Sequence, residues 1–357
     1  MRYVGIDLHK RSLTVCVIDK ESEKSFARRL YCDEADKVRK FFEDLGPFQA
    51  VIEATATYEW LWELLEPLAD RVVLGHPKKI KVISESMKKT DKNDAYFLAW
   101  LLSHNAVPEA QRPTPRQREY QHLVRLQVFF KRKRAQAMVK IRQILAARNL
   151  ESKGLFTRVP PLSLANQLPP AEKFSLESLV EHLDRLQLDV KKVSEELKRF
   201  RAEAPAVEKE SHEILTSIPG IGPITADVTL STLGNVTRFS SIKKVTAYAG
   251  VVPGVRASDK TRKELGITKE GSRLLRWSLI QSAWQSIRWS PSWLKIFQRI
   301  AQRRGRKKAI VAVARRLLGV IYTLLKKRER YVERAPARTN SRSSPPQPRM
   351  AFGVEQA

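Results

Sequence analysis

The chain has 357 residues, 42% hydrophobic and 29% charged, with 66 Lys and Arg against 38 Asp and Glu for a formal charge of +28. The apolar share supports real cores and excludes wholesale disorder, and the length suggests two or three domains. No apolar run approaches the ~18 residues of a membrane span, and MRYVGIDLHK lacks a secretory apolar stretch. Two cysteines, Cys16 and Cys32, make no disulfide framework, so a reducing cytoplasm is the expected setting. So large a positive surplus repels itself unless a polyanion is near, and nucleic acid is the commonest one.

The first hundred residues read as α/β. Short apolar or β-branched runs predict strands at 3–7, 12–19, 26–32, 49–54 and 71–75. Helical spacing predicts helices at 33–45, 58–68 and 91–103. Three strands in succession imply antiparallel hairpins, followed by parallel βα units. Pro108, Pro113 and Pro115 mark a boundary. A basic helix follows at 116–148, carrying Lys131, Arg132, Lys133 and Arg134 among Tyr120, Phe129 and Phe130. After a Pro-rich loop comes a heptad of Leu176, Leu179, Leu183, Leu186, Val190, Val193, Leu197 and Phe200, which predicts a helix seeking a partner, slightly favouring self-association. Residues 211–328 read as mostly helical. The Pro-, Ser- and Arg-rich tail reads as disordered. The domain boundaries expected are 1–107, 108–207, 208–332 and a tail at 333–357.

The carboxylates carry the first chemical signal. Asp7 follows Val4, Gly5 and Ile6 at the end of the first strand, and Glu53 follows Val51 and Ile52 at the end of another. Asp91 and Asp94 stand three apart at a helix start, on one face. Taken singly, Asp7 reads as a turn residue, Asp91 as an N-cap and Asp94 as a complement to the helix dipole. Together, acids at strand ends face one sheet edge, where as bare anions they would repel. A divalent cation resolves this, and oxygen ligands suit Mg²⁺.

A second signal lies downstream. SIPGIGPITA, residues 217–226, places Pro219, Gly220 and Gly222 between helical stretches, where a tight turn and free helix N–H groups suit a phosphate. A plain interhelical turn explains the same residues. Ser258 stands in a polar loop with Arg256, Lys260, Arg262 and Lys263, followed by a turn at 266–272 with Lys269 and then Arg273. Cations lower a serine's pKa and neutralise charge at phosphorus, whereas a loop serine among phosphate-contacting bases is the plainer reading. No triad-style His lies nearby, and no GxxxxGK[ST] loop is present.

YVGIDLHK, VIEATATYEW and KTDKNDAYFLAWLL resemble the DEDD, RuvC-like domain of the insertion-sequence 110 family of transposases. AYAGVVP, a serine five residues after Pro253, and GITKEGSRLLRWSL resemble that family's C-terminal transposase domain. The resemblance implies an α/β, RNase H-like N-terminal domain, a helical coiled-coil linker and a mostly helical C-terminal domain with a helix-hairpin-helix-like element. It implies a Mg²⁺ site at Asp7, Glu53, Asp91 and Asp94, and a nucleophilic Ser258. Asp259 follows that serine where many members have glycine; Thr261 and Ser272 are the other hydroxyls nearby. The implied protein is a site-specific recombinase of a bacterial element, nucleoid-associated, guided by a noncoding bridge RNA that pairs with donor and target DNA. It would act as a dimer assembling to a tetramer. The candidate nucleic-acid contacts are Lys131, Arg132, Lys133, Arg134, Gly220, Gly222, Arg256, Lys260, Arg262, Lys269 and Arg273. The alternatives are a Mg²⁺-dependent nuclease without covalent serine chemistry and a non-catalytic nucleic-acid-binding protein.

Overall fold

Alternation along the first strand decides which residues meet which helices. β1 (Arg2–Leu8) turns Val4 and Ile6 to one face and Gly5 and Asp7 to the other. β2 (Ser12–Asp19) and β3 (Lys24–Tyr31) join it antiparallel, while β4 (Phe48–Glu53) and β5 (Arg71–Gly75) join parallel, in the order β3-β2-β1-β4-β5. The computed structural model describes residues 1–22, 24–83, 90–258 and 261–333, with backbone alone at 255–258 and 261–265.

Helices cover both faces of this sheet. α1 (Ala35–Glu43) and α2 (Glu59–Leu65) bury Val38, Phe41, Phe42, Leu61 and Leu65 against Val4, Ile6, Val15 and Ile52. α3 (Pro77–Ile83), which the sequence reading omits, and α4 (Asp91–Ser103) bury Ile80, Leu98 and Leu101 against Val51 and Val73 on the opposite face. Gly5 lets α4 approach: a Cβ there would lie 2.1 Å from the Ala95 carbonyl oxygen and 2.3 Å from the Ala99 nitrogen. This first compact unit spans Met1–Pro113.

The second unit begins at Thr114. α5 (Pro115–Ala146) and α6 (Pro170–Ala202) run antiparallel, tied at one end by Arg148 with Glu172 and at the other by Arg116 with the Phe200 carbonyl. Here the structure corrects the heptad expectation. Leu176, Leu183 and Leu186 pack with Ala137, Ile141 and Leu145 of α5, and Val193, Leu197 and Phe200 enter a second core with Tyr120 and Val124. The apolar seam is thus buried within one chain, and the charged intervening residues form its solvent face.

Around that second core stand α7 (Ala206–Thr216), α8 (Pro223–Leu233), α9 (Ile242–Tyr248), a two-stranded antiparallel ribbon of β6 (Pro253–Ser258) and β7 (Thr261–Ile267), α10 (Arg273–Trp289), α11 (Pro291–Arg304) and α12 (Arg306–Lys327). The ribbon is a second correction: the segment expected as a polar loop around Ser258 is paired backbone. Its charged composition hides the alternation that normally marks a strand. Buried Asp227 is held by Tyr120 Oη donating at 2.7 Å and by Arg201 at 2.7 Å, which joins α5, α6 and α8. Glu333, assigned to the tail from sequence, accepts a hydrogen bond from Ser290; residues 334–357 lie outside the described residues. Among the described residues no helix is long and apolar enough to cross a membrane.

Candidate active site and nucleic-acid interface

The odd-numbered face of the sheet places the acids. Asp7 pairs in register with Thr14, which pairs with Arg29. On the other side Ile6 pairs with Ile52, so Asp7 and Glu53 end adjacent parallel strands on the same face, and Glu53 pairs with Gly75. Small residues keep that face open where helices cross it: a Cβ at Gly75 would meet Ile80 at 2.6 Å. α4 then sets its first turn over the strand ends. Thr90 caps the helix by accepting from the Asn93 nitrogen at 3.2 Å, and Asp91 and Asp94 sit at the positive end of the helix dipole.

Asp7, Glu53, Asp91 and Asp94 accordingly line one cavity of about 510 Å³, with His9, Thr55, Lys78 and Lys81 around them. Burial raises the Asp7 carboxyl above its ordinary value; His9 pulls it back, while Asp94 and Asp91 push it further up. His9 was not singled out from sequence. It follows β1 in the turn to β2, its backbone N–H donating to the Ser12 carbonyl, and its Nε2 lies 3.2 Å from Asp7 and 3.5 Å from Asp91. One ligand atom from each of Asp7, His9 and Asp91 lies within 4.8 Å of the others. Carboxylate oxygens crowded in a half-buried cleft, with one imidazole, fit a divalent cation, because a positive charge there offsets both the burial that chiefly raises Asp7 and the repulsion from Asp94 and Asp91 that adds to it. The signal in the sequence was the short spacing Asp7-Leu8-His9 at a strand end.

The second set of sequence-derived residues scatters over the second unit. Ser258 ends β6 with its backbone opposite Thr261, and Arg256 and Arg262 occupy the ribbon opposite Lys263 and Ala257. The side chains of Ser258, Arg256 and Arg262, and Lys260 entirely, lie outside the described residues. The following turn is rigidly held: Arg276 donates to the Ala249, Glu270 and Gly271 carbonyls, and the Lys269 N–H donates to the Gly250 carbonyl. Lys269 and Arg273 project to solvent there.

The two glycines between α7 and α8 play different parts. Gly220 has φ +88°, and a Cβ would meet the Ser286 nitrogen at 2.4 Å, so it serves packing against α10. Gly222 is exposed, caps α8 and has nothing within 4 Å of a Cβ, which leaves its helix end open. On α5, Arg132 and Lys133 are exposed, with the Arg132 guanidinium 5.1 Å from the Trp277 ring and the Lys133 ammonium 5.7 Å from Phe129. Lys131 and Arg134 are half-buried, and burial, then Arg134, holds the Lys131 pKa below its ordinary value.

A sheet with acids at its strand ends, joined to a basic helical unit, defines a class of DNA-processing enzymes, and the comparisons give it a family. Residues 4–148 match the DEDD-type transposase profile of IS110 elements, and residues 212–298 match the Transposase IS116/IS110/IS902 family. The chain belongs to this family of DNA transposases and recombinases. It is 26% identical to the transposase for insertion sequence element IS1111A of Coxiella burnetii, over 93% of this chain and 91% of that protein. It is 24% identical to a probable family 20 transposase of Pseudomonas aeruginosa, covering 92% and 98%. It is likewise 24% identical to the pilin gene-inverting protein of Moraxella bovis, covering 93% and 98%.

Proposed function

We propose that this transposase is a site-specific recombinase that cuts and rejoins DNA through a phosphoserine link, with Mg²⁺ held by Asp7, Glu53, Asp91 and Asp94 in an RNase H-like domain. The observation that carries the reading is the convergence of those four acids, from two strand ends and one helix start, in a single cleft. When bound, the cation supplies charge neutralisation at the scissile phosphate. The protein's residues do the rest. Ser258 Oγ gives up its proton and bonds to phosphorus, one bridging P–O bond breaks, and the leaving oxygen takes a proton. The reverse attack by a DNA hydroxyl then restores the serine, so the bond energy is conserved without ATP. Cations of the ribbon and turn, Arg256, Lys260, Arg262, Lys269 and Arg273, face the phosphates, and Lys131, Arg132, Lys133 and Arg134 of α5 hold a nucleic-acid backbone. The open helix end at Gly222 is a backbone-approach point of the helix-hairpin-helix kind, a role Gly220 shares only through the turn it forms.

The reading extends to a structured bridge RNA that pairs with donor and target DNA, which a +28 chain grips by shape and charge. It also extends to assembly of dimers into a tetramer in which acids and serine of different subunits serve one phosphate, in a bacterial cytoplasm near the nucleoid. The test is a denaturing gel of the full chain with labelled element-junction DNA, Mg²⁺ and the element's RNA. A protein–DNA adduct is expected from the wild type and none from Ser258→Ala or Asp7→Asn. Undiminished cutting by Ser258→Ala favours the water-using nuclease, and undiminished cutting by Asp7→Asn refutes the metal site.

A further inference from the structure

The row of paired residues that contains Asp7 does not end at the acids. Asp7, Thr14 and Arg29 are direct cross-strand partners on β1, β2 and β3. Partners opposite one another in a sheet share a face, so Arg29 projects on the side that α4 covers, two strand spacings, or about 10 Å, from Asp7. A separate cleft of about 410 Å³ lies there, lined by Thr14, Arg28, Arg29, Thr90 and Lys92, and it shares Asp91 with the acidic cavity. Arg29 donates to the Ser12 hydroxyl at 3.0 Å, a neutral partner, and no carboxylate pairs with it among the described residues. β3 is exposed along nearly its whole length, so this cleft opens to solvent at the sheet edge.

We propose that this cleft is an anion subsite in which Arg29 and Lys92 hold a phosphodiester of the substrate strand close to the one that reacts at the acids. It rests on the reading of the acidic cavity as the cutting site. The physical reason is register. The acidic cavity would take one phosphate, and a strand continuing across the sheet toward β3 must bring its neighbouring phosphates past Asp7 and Asp91, while Lys78 and Lys81 come from α3 on the other side of the cavity. A guanidinium in the same row as Asp7 provides charge-assisted hydrogen bonds at that distance, and the hydroxyls of Thr14 and Thr90 supply neutral donors beside it. Arg28 also borders the cleft, but strand alternation turns it to the other face of β3, with its guanidinium 5.5 Å from the Phe41 ring of α1.

The experiment is a chemical double-mutant cycle. The full chain with its element's RNA cuts junction duplexes in which each phosphate flanking the cut is replaced, one at a time, by a neutral methylphosphonate. With the wild type, one flanking replacement is expected to slow cutting about 10-fold. Arg29→Ala is expected to slow the unmodified duplex by a similar factor and to be indifferent to that replacement. Arg29→Lys should recover part of the rate, and Lys92→Ala should show a weaker version of the same pattern. An unchanged melting temperature for exposed Arg29→Ala keeps the comparison on binding. Arg29→Ala that cuts as fast as wild type, or that stays as sensitive as wild type at every flanking phosphate, overturns the subsite. Absence of cutting by the wild type, or undiminished cutting by Asp7→Asn, removes the parent reading instead.

Discussion

His9 Nε2 stands 3.2 Å from Oδ2 of Asp7, so the buried acid of the first strand is met by an imidazole from the turn that follows it. An imidazole is a poor ligand for Mg²⁺ and a good one for transition metals. In titration calorimetry the wild type is expected to bind Mn²⁺ more tightly than Mg²⁺. His9→Ala should lose about 10- to 100-fold in Mn²⁺ affinity, the range for ligands and their close supports. Equal Mn²⁺ affinity for both proteins would place His9 outside the metal's reach.

Asp7 gives a pH signature. Its carboxyl is raised on folding, so without metal the native chain holds this proton to a higher pH than the unfolded chain does. Native-state proton excess means stability falls as pH rises through the window above the ordinary carboxylate value, and the penalty vanishes below that value. In EDTA, Asp7→Asn should therefore melt a few degrees higher than wild type at pH 7, with the gap closing on acidification. Divalent cation should reverse the order, since a ligand at one hundred times its Kd stabilises by about 2.7 kcal/mol. Calorimetric scans at several pH values, with and without metal, measure both effects.

The approach of α4 to β1 depends on Gly5, where any Cβ collides with helix backbone that has no rotamer to adopt. Gly5→Ala must push away the helix bearing Asp91 and Asp94. A loss of about 3 kcal/mol, the upper end for overpacked cores, is expected together with loss of cutting. Urea unfolding checks the first and the adduct gel the second.

Gly220 and Gly222 separate packing from binding. Gly220→Ala faces both a positive φ and a collision with α10, and should destabilise the second unit by about 1–3 kcal/mol. Gly222→Ala meets open space and should leave the melting temperature within about a degree while weakening DNA binding in a filter assay. Intact binding by a folded Gly222→Ala chain would remove that helix end from the interface.

The two halves of the chain differ in how far sequence patterns carry. The strands at 12–19 and 71–75 and the helix at 91–103 emerge at their sequence-read bounds because local periodicity and burial agree there. The four acids were legible for the same reason: each lies in the last residues of a strand or the first turn of a helix whose type is locally encoded. β6 and β7 were not, since Arg, Lys and Thr give no apolar alternation, and ladder hydrogen bonds do not depend on side-chain type. The heptad of α6 was legible as a seam, yet a seam does not specify whose surface fills it; α5 does, at close range and in the same chain.

The order of residues alone determined that Asp7 and Glu53 end buried strands, that Asp91 and Asp94 share a helix turn, and that a basic helical region follows. Only the tertiary structure decided that Arg29 belongs to the same neighbourhood as those acids and that His9, next to Asp7 in the chain, also reaches Asp91. Strand pairing and helix crossing join residues distant in sequence through register, and register depends on how whole faces pack rather than on any local run of residues.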